Sequence, residues 1–386
     1  MTQGGTSGDF IVDQQDGWIY DGNKKILTFT ESGEYTVTGN ATNSDRIVVA
    51  QGFEGIITLK DLSINASSGA AFKVEASARL TVKLSGVNTL KTSNSSNAGL
   101  QFDNADTGYL IITSAAGDGM IEGSLTAAGG INGAGIGGGA NGEFNNYTIN
   151  VGVITATGAI NGAGIGGGSN GSVSNIVING GMVTARGGTN GAGIGGGSNG
   201  KADIITINGG TVEASSNNRS GIGGGSNGTA KNVTITGGSI KGTVGGSPKD
   251  GNGNYVYKGV LNTQPGITSV SVDGTDYKVA SNHENDDSYY LYMPAGGHVI
   301  TTSASRYLCE FANRKFDITE LTENTYTLTI PAALDLNTKN QAEVAVSGVY
   351  MKFSDLKKQV KVKVSDATDI NGDLSLIHIS EPTRHA

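Results

Sequence analysis

The sequence predicts an all-β chain: a parallel β-helix, or solenoid, over residues 30–247, followed by one or two small β-sandwich-like modules. Three observations predict it. A block of 28 or 29 residues recurs in the middle of the chain, apolar residues within each block pair at i and i+2, and glycine-rich turns separate the pairs.

The recurrence holds at independent positions. Gly-Ala-Gly-Ile ends at Ile136, Ile165 and Ile194, and a degenerate Ser-Gly-Ile ends at Ile222, giving steps of 29, 29 and 28 residues. Ile149, Ile178, Ile207 and Ile235 keep the same beat, as do Ile154, Val183, Val212 and Ile240, so the missing residue lies between Val212 and Ile222. Within one block the pairs are Ile176 with Ile178, Val183 with Ala185, and Ala192 with Ile194, which is strand periodicity. Residues 129–248 hold 38 Gly in 120 positions and no Pro before Pro248, which excludes collagen, since that fold demands Gly at every third position and abundant Pro. Three short strands per block describe one coil. Burying a few small side chains does not offset the ordering of so many residues, so coils must stack and share a core.

Upstream the spacing loosens. Residues 47–49, 71–74 and 100–102 form one expected strand row, and 56–59, 80–84 and 110–112 a second. Residues 1–29 are expected to be a leader or cap, with 26–37 a strand pair that closes the open end, because a bare solenoid end is an aggregation-prone sheet edge. From residue 248 the composition shifts: all five Pro and most of the thirteen Tyr lie there, and alternating segments at 267–272, 289–293, 326–330 and 360–364 predict modules over 248–306 and 307–375. The last eleven residues, 376–386, read LIHISEPTRHA. They resemble translated sequencing-adapter read-through at the end of a metagenomic gene, which implies a fragment whose natural chain continues.

Composition narrows the function classes. The chain has 386 residues, 26 Lys and Arg against 34 Asp and Glu, and 16% charged residues, which fits neither a basic nucleic-acid binder nor a highly charged disordered tail. A single cysteine, Cys309, excludes an internal disulfide and a cysteine zinc site. No apolar run approaches the roughly 20 residues of a bilayer span.

Gly133, Gly135 and Gly138 match G-x-G-x-x-G, as do Gly162, Gly164, Gly167 and Gly191, Gly193, Gly196, but Asn/Ser turns follow where a dinucleotide site needs a helix. Tandem matches at the coil period read as turn glycines. Asp203 and Lys231 occupy one position of adjacent coils and Glu213 and Lys241 another, so the expected arrangement is opposite charges on a solvated face, with no stacked carboxylates for catalysis. His378 and His385 lie in the tail and His283 and His298 in the modules, leaving the solenoid without an imidazole base. No catalytic, cofactor or metal site is therefore expected. The nearest approaches to a calcium site are Asn282 to Asp287 and the run Asp369, Asn371, Asp373, where Leu374 stands in the required Gly position.

One outward row stands out: Thr148, Val177, Thr206 and Thr234, flanked by Asn150, Asn179, Asn208 and Thr236. A flat Thr and Asn ladder suits ice or a sugar lattice, but β-propensity with Asn ladders between coils is the preferred account. Tyr109 and Phe144 are the aromatic residues before 248 expected outside the core.

The segments Ser32-Gly-Glu-Tyr-Thr-Val-Thr-Gly39, Arg46-Ile-Val-Val49, Ile57-Thr-Leu-Lys-Asp-Leu-Ser-Ile64 and Leu80-Thr-Val-Lys-Leu-Ser-Gly-Val-Asn-Thr-Leu90 together resemble the carbohydrate-binding β-helix domain family of clostridial secreted proteins. The AGIGGG coils resemble those of repeat-rich surface proteins from gut Firmicutes. The resemblance covers about residues 30 to 247. It implies a secreted or wall-associated, right-handed parallel β-helix shaped like the pectate lyases, and the acidic calcium ligands reported for such helices have no match here. The expectation is a monomeric, non-catalytic extracellular stalk or adhesive surface, with recognition of a polysaccharide or host glycan as the alternative and a polysaccharide lyase disfavoured. Neither a secretion signal at residues 1–9 nor a wall anchor is recognisable, as a fragment would have it.

Overall fold

The structure is a computed structural model describing residues 5–42, 44–102, 107–116, 121–262, 269–279 and 288–302, with strand segments Glu310–Phe311, Leu321–Thr322, Thr325–Ile330 and Glu343–Ala345. Among these residues the regular elements are all strands.

Between Ile26 and Lys241 the chain winds as a parallel β-solenoid. One row of parallel strands runs Ile26–Phe29, Arg46–Val49, Phe72–Val74, Leu100–Phe102, Ile136–Gly137, Ile165–Gly166, Ile194–Gly195 and Ile222–Gly223. The other two rows are joined at first, because Gly33–Ala41, Glu54–Ala66 and Arg79–Thr92 each bend across two faces. They then separate. Tyr109–Ser114, Phe144–Ile149, Val173–Ile178, Ile205–Ile207 and Val233–Ile235 form one face, while Gly123–Ala128, Val153–Thr157, Met182–Arg186, Thr211–Ser215 and Ser239–Lys241 form the other.

The i, i+2 pattern dictates which side chains turn inward. Ile176, Ile178, Val183, Ala185, Ala192 and Ile194 are all buried. Ile149, Ile178, Ile207 and Ile235 are register partners on successive strands, which places neighbours about 4.8 Å apart in one interior column. Each such side chain contributes roughly 1.5–3 kcal/mol by leaving water. The glycines of the first row answer a different demand. Gly166 has φ +136°, and a Cβ on it would lie 2.0 Å from the Gly195 carbonyl oxygen, so only glycine permits this close approach of coils. The 28-residue step also finds its place: Arg186 pairs with Ser215 but Ile194 pairs with Ile222, so the residue is lost after Ser215.

Strict alternation fails at Phe144. The sequence places it outside the core, yet it is fully buried, packing edge-on to Phe102 with ring centroids 6.3 Å apart and tilted against Tyr147 at 5.1 Å. The cause is Asn146. It adopts left-handed φ +54° and drops out of the strand register, so Phe144 and Tyr147 point the same way although three positions apart. The Tyr147 hydroxyl reaches the core without a hydrogen-bond partner, and burial pushes its pKa far up.

Both ends of the stack are covered. At the start, Phe10–Val12 pairs antiparallel with Gly33–Ala41, and Trp18–Asp21 pairs antiparallel with Ile26–Phe29. The segments at 26–29 and 33–41 lie in different sheets instead of pairing with each other, because the chain between them turns a solenoid corner. Phe10 and Val12 complete the core. Tyr20 donates to Asp45 at 2.9 Å, and burial followed by that carboxylate pushes the phenol up to about 12. At the far end, Ser239 Oγ accepts from Tyr290 N at 2.9 Å, the carbonyls of Lys278 and Tyr277 accept from Gly210 N and Gly238 N, and Val256 and Tyr292 join the solenoid core. The residues beyond 250 form two sheets. In one, Val256–Asn262 pairs with Ser288–Pro294, Glu310–Phe311 and Glu343–Ala345; in the other, Gly296–Thr302 lies between Val270–Val272 and Thr325–Ile330, so strands from both sides of residue 307 share these sheets.

Candidate functional site

The outward Thr and Asn rows come together as the register requires. Thr148, Val177, Thr206 and Thr234 are successive partners, half-exposed on the face whose alternate residues fill the core. One step beyond the strands, Asn179 Nδ2 donates to Asn150 Oδ1 at 2.9 Å, Asn208 Nδ2 to Asn179 Oδ1 at 2.9 Å, and Thr236 Oγ1 to Asn208 Oδ1 at 2.7 Å. The amides predicted as ligand-facing are thus already bonded to one another. Each retains a second N–H and a second lone pair directed away from the column, so the row presents a repeating donor and acceptor at the strand spacing of about 4.8 Å. The row ends where Lys249 pairs beside Thr234.

Three further columns escaped the sequence reading. Asn141, Asn170, Asn199 and Asn227 form one at 2.9–3.0 Å, each with left-handed φ between 58° and 61°. Asn132, Asn161 and Asn190 form a second at 2.8 Å, and Asn146 with Asn175 begins a third. The signal was present as Asn recurring at the 29- or 28-residue coil interval, but Asn in a turn predicts αL backbone before it predicts a ladder. A threonine row was also missed: Thr89, Thr126, Thr155 and Thr184 are register partners on the neighbouring face, each partly exposed within its strand.

Charge is sparse here. Glu213 and Lys241 are register partners, as their spacing predicts, while Asp203 accepts from Asn232 Nδ2 at 2.7 Å. Tyr109 is half-buried at the start of its strand. His298 lies away from these rows, buried between Asp273 Oδ2 and the Pro294 carbonyl at 2.8 Å each. Among the described residues no three His, Cys, Asp or Glu side chains form a metal-binding group. The runs at 282–287 and 369–373, His283 and the 376–386 tail lie outside the described residues. No helix among the described residues is long and apolar enough to cross a membrane.

No curated protein and no solved structure matches the chain. One family model does: the β-helix repeat, over residues 176–198 and 205–226.

Proposed function

We propose that the chain is a non-catalytic bacterial repeat protein of the cell surface or secreted space, its solenoid a rigid stalk or adhesive surface that works as a monomer. The observation that carries this reading is the unbroken interior: one cluster of buried side chains runs from Phe10 to Tyr292, and a stack so joined resists bending. The match to the β-helix repeat and the resemblance of residues 30–247 to clostridial secreted proteins and Firmicutes surface repeats support it. The same resemblance favours a wall-associated location.

Recognition of a polysaccharide or host glycan is the second reading, favoured by the paired threonine and asparagine rows. Evenly spaced weak contacts gain through multivalency, so affinity rises steeply with polymer length. Incubation of the full chain with pectin, xylan and cellulose, with and without calcium, tests both readings through product formation and pull-down. Turnover of any polymer overturns the non-catalytic assignment. Retention that grows with polymer length favours the glycan reading, and no retention leaves the stalk.

A further inference from the structure

The last glycine turn of the solenoid differs from those before it in two ways. In each earlier coil, turn N–H groups point along the solenoid axis to the next coil. Gly138, Gly167 and Gly196 donate to Gly166, Gly195 and Gly223 at 2.8–2.9 Å, and Asn141, Asn170 and Asn199 donate to Ser169, Ser198 and Ser226 at 2.6–2.7 Å. Beyond this coil the row continues only as the single Ile222–Val244 bridge, and the N–H groups of the counterparts, Gly224 and Asn227, find no acceptor among the described residues.

The second difference is charge. Gly133, Gly162 and Gly191 stand three residues before the coil isoleucine, and a Cβ on Gly191 would lie 2.1 Å from the Gly162 oxygen. In the last coil, the one shortened by a residue, that position is Arg219, exposed and without an ion-pair or hydrogen-bond partner among the described residues. Arg219, Ser220, Gly224, Asn227 and Thr243 line one open cleft of about 490 Å³, and no carboxylate lines it. Thr243 Oγ1 already accepts from Gly221 N at 2.7 Å, which leaves its hydroxyl proton to donate.

We propose that this cleft binds a small oxyanion: a carboxylate, sulfate or phosphate group. Two aligned backbone N–H groups, hydroxyl donors and a guanidinium that forks onto two oxygens are the donor set such a group requires. The chain's net charge of −8 disfavours adventitious anions, so binding here reports local geometry. The assignment is independent of whether the outward rows bind a glycan.

The test is amide NMR on the isotopically labelled full chain, titrated separately with acetate, sulfate and phosphate at constant ionic strength. The expected result is a saturable shift of the Gly224 and Asn227 amides, in the roughly millimolar range, with at least one of the three. The arm that saturates first names the oxyanion chemistry. Arg219→Gln is expected to weaken it about tenfold or more, Arg219→Lys by less, and Arg186→Gln, an exposed arginine outside the cleft, not at all. Shifts that fail to saturate in all three arms overturn the proposal. Equal affinity in Arg219→Gln and Arg186→Gln overturns it as well.

Discussion

The coils before residue 129 and those after it share three strand rows but hold them by different means. The earlier coils use long strands, 13 residues in Glu54–Ala66 and 14 in Arg79–Thr92, around large side chains such as Phe29, Phe53, Phe72 and Phe102. The later coils use two-residue Ile-Gly strands, an alanine column of Ala156, Ala185 and Ala214, and columns of bonded asparagines on the outside. Their periods differ accordingly. Register partners in the early part lie as few as 20 residues apart, from Ile26 to Arg46, and as many as 37, from Gly86 to Gly123, whereas the later coils keep 29 or 28. Apolar packing is non-directional and tolerates loops of any length between rows; an amide column bonds only if its members recur in register.

Substitutions probe that contrast. The largest effect is expected from Ile178→Asp, which buries an unpaired charge in the shared column and costs several kcal/mol or more, read as a collapse of the urea midpoint. Asn88→Ala comes next. This fully buried amide ties three coils, accepting from Leu62 N at 2.9 Å and donating to the carbonyls of Ser85 and Ser124 at 3.1 Å, and its loss strands groups worth about 1–3 kcal/mol each. Asn170→Ala, in an exposed column, should cost about 1 kcal/mol or less. Equal losses for the two asparagines would show that burial is not what separates the two regions.

Tyr147→Phe removes the unbonded core hydroxyl and should leave stability unchanged or raise it by up to about 1 kcal/mol. At the cap, the folded chain holds Tyr20 neutral beyond its ordinary 10.0, up to about 12. A raised pKa stabilises fully below the unfolded value, so this contribution is present to about pH 10 and is lost as pH climbs through about 12. The difference in urea midpoint between the natural chain and Tyr20→Phe should shrink across that window. Lys231→Ala, a surface change, should shift the midpoint by about 0.5 kcal/mol or less; a larger loss would mean that surface charge helps hold the later coils.

Much of the fold was legible because solenoid strands obey period 2 and coils obey one interval, and Ile149, Ile178, Ile207 and Ile235 satisfy both. The rows upstream were legible for the same reason: Ile47 meets Phe72 and Ile57 meets Val82. Phe144 was not, because a single αL residue, Asn146, inverts everything before it on its strand. The outward threonines and the ladder of Asn150, Asn179 and Asn208 could be read from sequence, but the columns through Asn132 and Asn141 lie in turns, where side-chain rotation decides the hydrogen bonds and strand periodicity gives no guide.

The amide columns also count. A column is satisfied only by neighbours one full coil away, so a chain of this design lengthens or shortens by whole coils or loses a column. The 28-residue coil bears this out locally: the Asn132, Asn161, Asn190 column runs through the turn that precedes the isoleucine, and it stops at Asn190, one coil short of Asn218, where the residue is missing. The Asn141 column, on the other side of that isoleucine, continues unbroken to Asn227. Reach in such a molecule is therefore quantised, each added coil extending it by about one strand spacing, 4.8 Å, for 29 residues of chain.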